Sequence, residues 1–159
     1  MRDDPRLRTI PFAVGGSPSG RGVLTTCNYP ARAYGIHSAM PTAHALRLCP
    51  QLTVGPVNMA KYRAASQQMR AIFEQFTDLI EPLSLDEAYL DVTSSDHCQG
   101  SATQIAEAIR AKISAGIGIT VSAGVSSNKF IAKVASDWNK PDGIMVVPPD
   151  NIDSFSATL

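Results

Sequence analysis

The 159-residue sequence predicts an α+β fold, and three observations carry that prediction. First, Leu83-Ser84-Leu85 and Ala88-Tyr89-Leu90-Asp91-Val92 both alternate, but the phase slips at Asp86-Glu87. Two half-buried strands joined by a tight turn produce such a slip, and one continuous strand does not. Second, Tyr62, Ala65, Met69, Ile72, Phe73, Phe76 and Leu79 recur at spacings of three and four, which predicts a helix over 61–79 with one apolar stripe. Third, Ile119, Val121, Ala123 and Val125 alternate with Thr120, Ser122 and Gly124, the pattern of a strand.

The remaining elements follow in chain order. Residues 1–9 are polar, and Pro5 limits them to a short helix or turn. Ile10 to Val14 reads as a short strand stopped by Gly15-Gly16, and Ser17-Pro18-Ser19-Gly20 as a loop. Gly22 to Cys27 is a second strand, β-branched in character. Asn28 to Gly35 forms a short helix, with Pro30 at its start and Gly35 after its end. Pro41 to Cys49 is another short helix closed by Pro50, and Pro50 to Pro56 reads as a linker. After the hairpin, Ser94 to Gly100 is a loop, and Ser101 with Gln104 makes a capping box. The helix it opens buries Ile105, Ile109 and Ile113 and ends at Gly116 and Gly118. A last helix over 127–138 presents Phe130, Ile131, Val134, Ala135 and Trp138 to the core. Lys129, Lys133 and Lys140 fall on another face, either a solvated surface or a basic rail for phosphates. Gly143 to Val147 is a final strand, and Pro148 to Leu159 begins something not completed. A hairpin, a helix and a strand in this order are most of a ferredoxin-like βαββαβ unit, without its leading strand.

Composition excludes several classes. Hydrophobic residues make up 44% and charged residues 18%, ordinary for a globular domain with a real core. Net charge is zero, so no global basic field draws the chain to nucleic acid. No apolar run reaches the ~20 residues of a membrane span, and Met1-Arg2-Asp3-Asp4-Pro5 has no apolar core of a signal peptide. Cys27, Cys49 and Cys98 show no CxxC spacing, which argues against a zinc site or disulfide framework and fits a reducing, cytoplasmic location. His37, His44 and His97 have no ligand spacing and are expected to be structural or at the surface.

Two stretches carry candidate chemistry. Asp86 and Glu87 would sit at the tip of the hairpin. An adjacent acidic pair is ordinarily a solvated turn. This one is framed by apolar strands and has no Gly or Asn turn residue, and hard oxygen ligands of this kind suit Mg²⁺. Tyr29 and Arg32, three apart on a helix, share a side and could clamp a phosphate. On these residues alone a surface arginine beside a half-buried tyrosine is the simpler reading.

Taken together, the motifs resemble a family. Asn28-Tyr29-Pro30-Ala31-Arg32, Ser38-Ala39-Met40-Pro41, Leu83-Ser84-Leu85-Asp86-Glu87-Ala88-Tyr89-Leu90-Asp91-Val92 and Lys129 to Asp137 resemble the Y-family translesion DNA polymerases, most closely the bacterial DNA polymerase IV branch. The motifs keep the family's order and spacing over nearly the whole chain. The resemblance implies a ferredoxin-like polymerase palm over 58–148, incomplete because its first strand is missing, a small fingers subdomain over 1–57, and the start of a truncated thumb at 149–159. It implies that Asp86 and Glu87 are the metal-binding, catalytic carboxylates, that Tyr29, Arg32 and Lys133 hold the incoming dNTP, and that two Mg²⁺ ions serve each site. The reaction would be attack of a primer 3′-hydroxyl on the α-phosphorus, with pyrophosphate leaving. Implied partners are primer–template DNA and dNTP, with a processivity clamp for the full-length parent and no membrane.

The sequence also departs from the family. A leading strand with a further metal-binding aspartate and an aromatic residue that excludes ribonucleotides is not found, nor are the thumb and the DNA-gripping domain. The expectation is a chain that starts late, has exposed strand edges in its palm sheet, and shows little or no polymerase activity of its own. The competing reading is a catalytically inactive remnant that at most binds nucleotide or a protein partner. A nucleotide cyclase shares the ferredoxin-like core but gives no reason for Tyr29-Pro30-Ala31-Arg32 or Ser38-Ala39-Met40-Pro41.

Overall fold

In the computed structural model, which describes residues 2–159, the chain divides into two units, Met1–Met59 and Ala60–Leu159. Met1, part of the polar N-terminal segment, lies outside the described residues.

The first unit is organised by one buried polar side chain. A short 3-10 helix at Pro5–Arg8 leads into strand β1, Phe12–Gly15. β1 pairs antiparallel with β2, Leu24–Cys27, and parallel with β3, Thr53–Gly55, in the order β2-β1-β3. Helix α1, Tyr29–Arg32, follows β2 directly, and α2, Thr42–Leu48, comes after a turn. Asn28 joins these parts. Its Oδ1 accepts from the Ala31 amide (3.0 Å), capping α1, and from the Phe12 amide (3.1 Å). Its Nδ2 donates to the carbonyls of Leu7 and Ile10. Ala13, Leu24, Ile36, Ala45, Cys49 and Leu52 are the apolar centre. Burial pushes the Cys27 thiol up, and its Sγ donates to the Ile36 carbonyl.

β3 corrects the linker expected at Pro50 to Pro56. A three-residue strand between prolines has too little pattern to be recognised, and it exists because β1 offers a pairing edge. Gly35, at φ +76°, takes the left-handed turn expected after α1.

The second unit begins with helix α3, Met59–Phe73. The stripe predicted through Leu79 ends early. Thr77 donates its hydroxyl to the Asp91 carbonyl and accepts from the Leu79 amide, which draws the chain out of the helix toward the hairpin. Phe76 stays buried, whereas Leu79 is exposed. The hairpin is β4, Ile80–Pro82, against β5, Ala88–Leu90. Leu83 and Leu85 fall in the connection and are exposed, so the first strand is shorter and earlier than their alternation suggests.

Helix α4, Ala102–Ile117, buries Ile105, Ile109, Ile113 and Ile117 at a strict spacing of four. The Ser101 hydroxyl accepts from the Gln104 amide at its N-terminus, and Gly118 ends it in the left-handed conformation (φ +73°). Gly116 lies inside the helix and does not terminate it. Strand β6 covers only Ala123–Ser126; Ile119 and Val121 pack on the α4 core without strand pairing. β6 pairs parallel with β7, Ile144–Val147, and helix α5, Lys129–Trp138, covers this pair. Gly124 permits the close fit, because a Cβ there would lie 1.9 Å from the Ala132 carbonyl oxygen. Ile131, Ala135 and Val147 form a second small core with Phe155 of α6, Ile152–Ser156. Phe130 and Trp138 were expected on this buried side, but they are 66% and 50% exposed. The tail therefore folds back as a 3-10 turn, Pro149–Asn151, and α6.

Candidate active site

The sequence expects Asp86 and Glu87 at a hairpin tip, and the chain puts them in the five-residue connection 83–87 between β4 and β5. The connection is held at its base, where the Leu83 and Ser84 amides donate to the Glu87 carbonyl. Ser84 also fixes Asp86: its hydroxyl donates to Oδ1 (2.7 Å) and accepts from the Asp86 amide (3.3 Å). Both carboxylates are exposed. They can therefore reach an incoming ion without the desolvation cost that a buried pair would carry.

α5 supplies the cation. The side chain of Asn128 caps this helix by accepting from the Ile131 amide (2.9 Å). Lys129 and Lys133, one turn apart, then point toward the hairpin. Lys133 Nζ donates to Glu87 Oε1, and Lys129 Nζ donates to Glu81 Oε2 on β4. The Glu87 hydrogen bond holds the Lys133 ammonium above the ordinary lysine range, against a smaller opposing effect of burial. Glu81 does the same for Lys129, which also stands 5.7 Å from the Tyr89 ring centroid. The Thr93 hydrogen bonds hold Asp91 below the ordinary carboxylate range. Lys140 lies past the end of α5 and pairs with Asp137 in its last turn. Each of the three lysines thus has a carboxylate partner at the surface, and Lys140 does not share the helix face of Lys129 and Lys133.

Asp86, Glu87 and Lys133 border a cleft of about 420 Å³. Met69 and Phe73 of α3 and Ile105 and Ile109 of α4 make its apolar floor. Asp86, Glu87 and Lys133 are thereby brought together. Among the described residues, no three His, Cys, Asp or Glu side chains converge. The exposed carboxylates of Asp86 and Glu87 are the pair on this hairpin connection available to hold a metal. That set fits Mg²⁺, which accepts one or two carboxylates and completes its shell with water and phosphate oxygens.

Tyr29 and Arg32 belong to the first unit. Both lie on α1, with the guanidinium carbon 5.8 Å from the Tyr29 ring centroid. Tyr29 is about half exposed, so ring and guanidinium stand together at the surface as their spacing implies. Sequence reasoning did not single out Ser84 or the fourfold bonding of Asn28. One signal was available: an Asn directly before Tyr29-Pro30 is an N-cap pattern.

With this geometry the chain compares with known proteins as follows. A family profile described as IMS, the impB/mucB/samB family, matches residues 1–137, and the chain belongs to that family. Within it, the chain stands with the Y-family DNA polymerase IV proteins. It is 69% identical over 159 residues to the DNA polymerase IV of Marinomonas sp. (strain MWYL1), covering 100% of this chain and 45% of that protein. It is 61% identical over 159 residues to the DNA polymerase IV of Ralstonia nicotianae, covering 44% of it. Among solved structures, a Y-family DNA polymerase chimera superposes with a TM-score of 0.89 at 32% identity, over 98% of this chain and 46% of that one. DinB from Sulfolobus solfataricus gives 0.87 at 33% identity, over 96% and 45%. The α+β fold is thus that of a region of Y-family polymerases. The chain spans less than half the length of these relatives.

Proposed function

We propose that this chain carries the metal- and nucleotide-binding residues of an error-prone, translesion DNA-directed DNA polymerase acting in DNA damage tolerance. The observation that supports this reading is the Lys133–Glu87 pair beside Asp86 at the mouth of an apolar cleft. Two carboxylates and one cation on adjacent elements match the charge pattern of a metal–triphosphate complex. In this reading Asp86 and Glu87 bind the metal, and Glu87 is the carboxylate nearest the primer 3′ end. With an ion held by these carboxylates, Lys133 would be released from Glu87 to meet phosphate oxygens. Tyr29 and Arg32 bind the triphosphate through the phenol hydroxyl and the guanidinium fork. Mg²⁺, two ions per site in the family, would supply charge neutralisation between attacking and leaving oxygens. The side chains contribute position and preorganised charge. Residues 1–57 act as fingers, 58–148 as a ferredoxin-like palm and 149–159 as the start of a thumb. Primer–template DNA and dNTP are the partners, with a processivity clamp for the full-length polymerase.

One observation favours a narrower reading for the chain by itself. Its acidic cluster is two carboxylates, which bind Mg²⁺ weakly without further ligands. The chain alone then binds Mg²⁺·dNTP but extends primers little or not at all. Titration calorimetry with dNTP in Mg²⁺, beside primer extension, tests both parts. The proposal expects binding that the Asp86→Ala/Glu87→Ala double substitution abolishes. Binding that survives the substitution would refute the assignment of these carboxylates, and processive extension by the chain would refute the narrower reading.

A further inference from the structure

Lys129 and Lys133 stand four apart on α5, so they leave the same side of the helix about 6 Å apart along its axis. The hairpin offers carboxylates at a matching interval. Glu81 of β4 is the register partner of Tyr89 on β5, and partners across an antiparallel pair share a face. The Leu83 amide donates to the Glu87 carbonyl and the Asp91 amide to the Leu79 carbonyl, which extends the ladder at both ends. Glu87 and Asp91, two residues either side of Tyr89, keep its face at intervals of roughly 7 Å. The two Lys–Glu pairs are thus two rungs between one helix face and one hairpin face: Lys129 on Glu81 and Lys133 on Glu87.

The rungs differ in what they are tied to. Lys133 rests on a carboxylate assigned above to the metal. Lys129 rests on one outside that pair, stands over the Tyr89 ring, and has the negative charge of Asp91 beside it. Uptake of an ion by Asp86 and Glu87 opens the first rung and leaves the second closed. The closed rung sits where packing is thin. The middle of α5 is fixed by Ile131 and Ala135 in the small core and by the main-chain contact at Gly124. The first turn has the Asn128 cap, and its Lys129 and Phe130 side chains are exposed. Lys129 is a poor phosphate ligand in its own right, because Glu81 and Asp91 together outweigh its single charge.

We propose that Lys129 is a positioning residue for Lys133. Held by Glu81 and Tyr89, it keeps the first turn of α5 against the hairpin, so that Lys133 remains within reach of a phosphate at Asp86 and Glu87 after leaving Glu87. This rests on the reading of Asp86, Glu87 and Lys133 as metal and phosphate ligands, and it adds to that reading two residues that touch neither metal nor nucleotide.

The test uses the 159-residue chain and calorimetric titration with Mg²⁺·dATP and with Mg²⁺ alone, after far-UV circular dichroism has shown each variant to be folded. The proposal expects Lys129→Met and Glu81→Ala each to weaken Mg²⁺·dATP binding about 1.5- to 5-fold, the range of one exposed pair, and the double variant to weaken it no further. Lys129→Arg, which keeps the charge, should restore the parent's affinity. Mg²⁺ alone should bind none of these variants more weakly than the parent, whereas a general loosening of the hairpin would weaken it too. In a Lys133→Met background, Lys129→Met should have no further effect. If Lys129 instead met the phosphates directly, Glu81→Ala would free it and tighten Mg²⁺·dATP binding, and that result would overturn the proposal. So would parent-like binding by Lys129→Met, or an equal loss when Lys133 is already replaced. Lys133→Met without effect on Mg²⁺·dATP would remove the underlying reading, and the proposal with it.

Discussion

Gly124→Ala is expected to be severely destabilising, and the reason can be read from the contacts. The added Cβ would lie 1.9 Å from the Ala132 carbonyl oxygen and 2.6 Å from the Ser136 amide nitrogen. Both are main-chain atoms of α5, so no side-chain rotation relieves the clash. Helix and strand must separate by more than an ångström, loosening Ile131 and Ala135 in the small core. Overpacking of this kind costs about 1–3 kcal/mol, and the rigid obstacle puts this case near or above 3. For a unit of about 100 residues that is a fall of roughly 10–20 °C in Tm. Lys133 directly follows Ala132, so the Lys133–Glu87 pair would shift with it and Mg²⁺·dNTP binding would weaken. The control is Gly116→Ala on α4, where a Cβ meets nothing within 4 Å. It removes backbone freedom from the unfolded chain and should stabilise by about 0.5–1 kcal/mol. Thermal melts by far-UV circular dichroism read both variants. A Gly124→Ala protein melting within about 2 °C of the parent would refute the close β6–α5 packing from which the loss was worked out.

Asn28→Ala removes the cap of α1 and leaves the Phe12 amide and two carbonyls without their partner, so urea unfolding of the first unit should show a loss of about 2–4 kcal/mol. Glu81 raises the Lys129 ammonium above its ordinary value, so the stabilisation from this pair is fully present below about pH 10.4 and is lost as pH climbs through the raised value. The difference in urea midpoint between the parent and Lys129→Met should therefore be constant from about pH 7 to 10 and shrink above that range. A difference that grows with alkalinity would contradict the pairing.

The sequence made the long, locally determined elements legible. α4 follows from isoleucines at a spacing of four, Ser101 before it and Gly118 after it. The slipped phase made a hairpin legible, but its first strand lies at Ile80–Pro82, ahead of the Leu83 and Leu85 alternation that suggested it. What escaped depended on partners distant in sequence. β3 is strand only because β1 pairs with it, and α3 ends early because Thr77 bonds to Asp91. Phe130 fits the apolar periodicity of α5 but is left at the surface. At the candidate site, the slipped alternation pointed to Asp86 and Glu87; helical spacing put Lys133 on a solvated face or a phosphate rail, and the resemblance implied its dNTP role. The sequence could not show that Lys133 rests on Glu87, because a lysine's partner is fixed by packing between elements, here α5 against the hairpin.

That pair supports the most direct test of the proposed site. If Glu87 is a metal ligand and Lys133 a phosphate ligand, Lys133→Met must have opposite effects on the two. Calorimetric titration should find Mg²⁺ alone bound about 1.5- to 5-fold more tightly by the variant, because a partly exposed pair worth about 0.2–1 kcal/mol no longer competes for the carboxylate. Mg²⁺·dNTP should bind the variant more weakly than the parent. Unchanged or weaker binding of Mg²⁺, or undiminished binding of Mg²⁺·dNTP, would contradict the account.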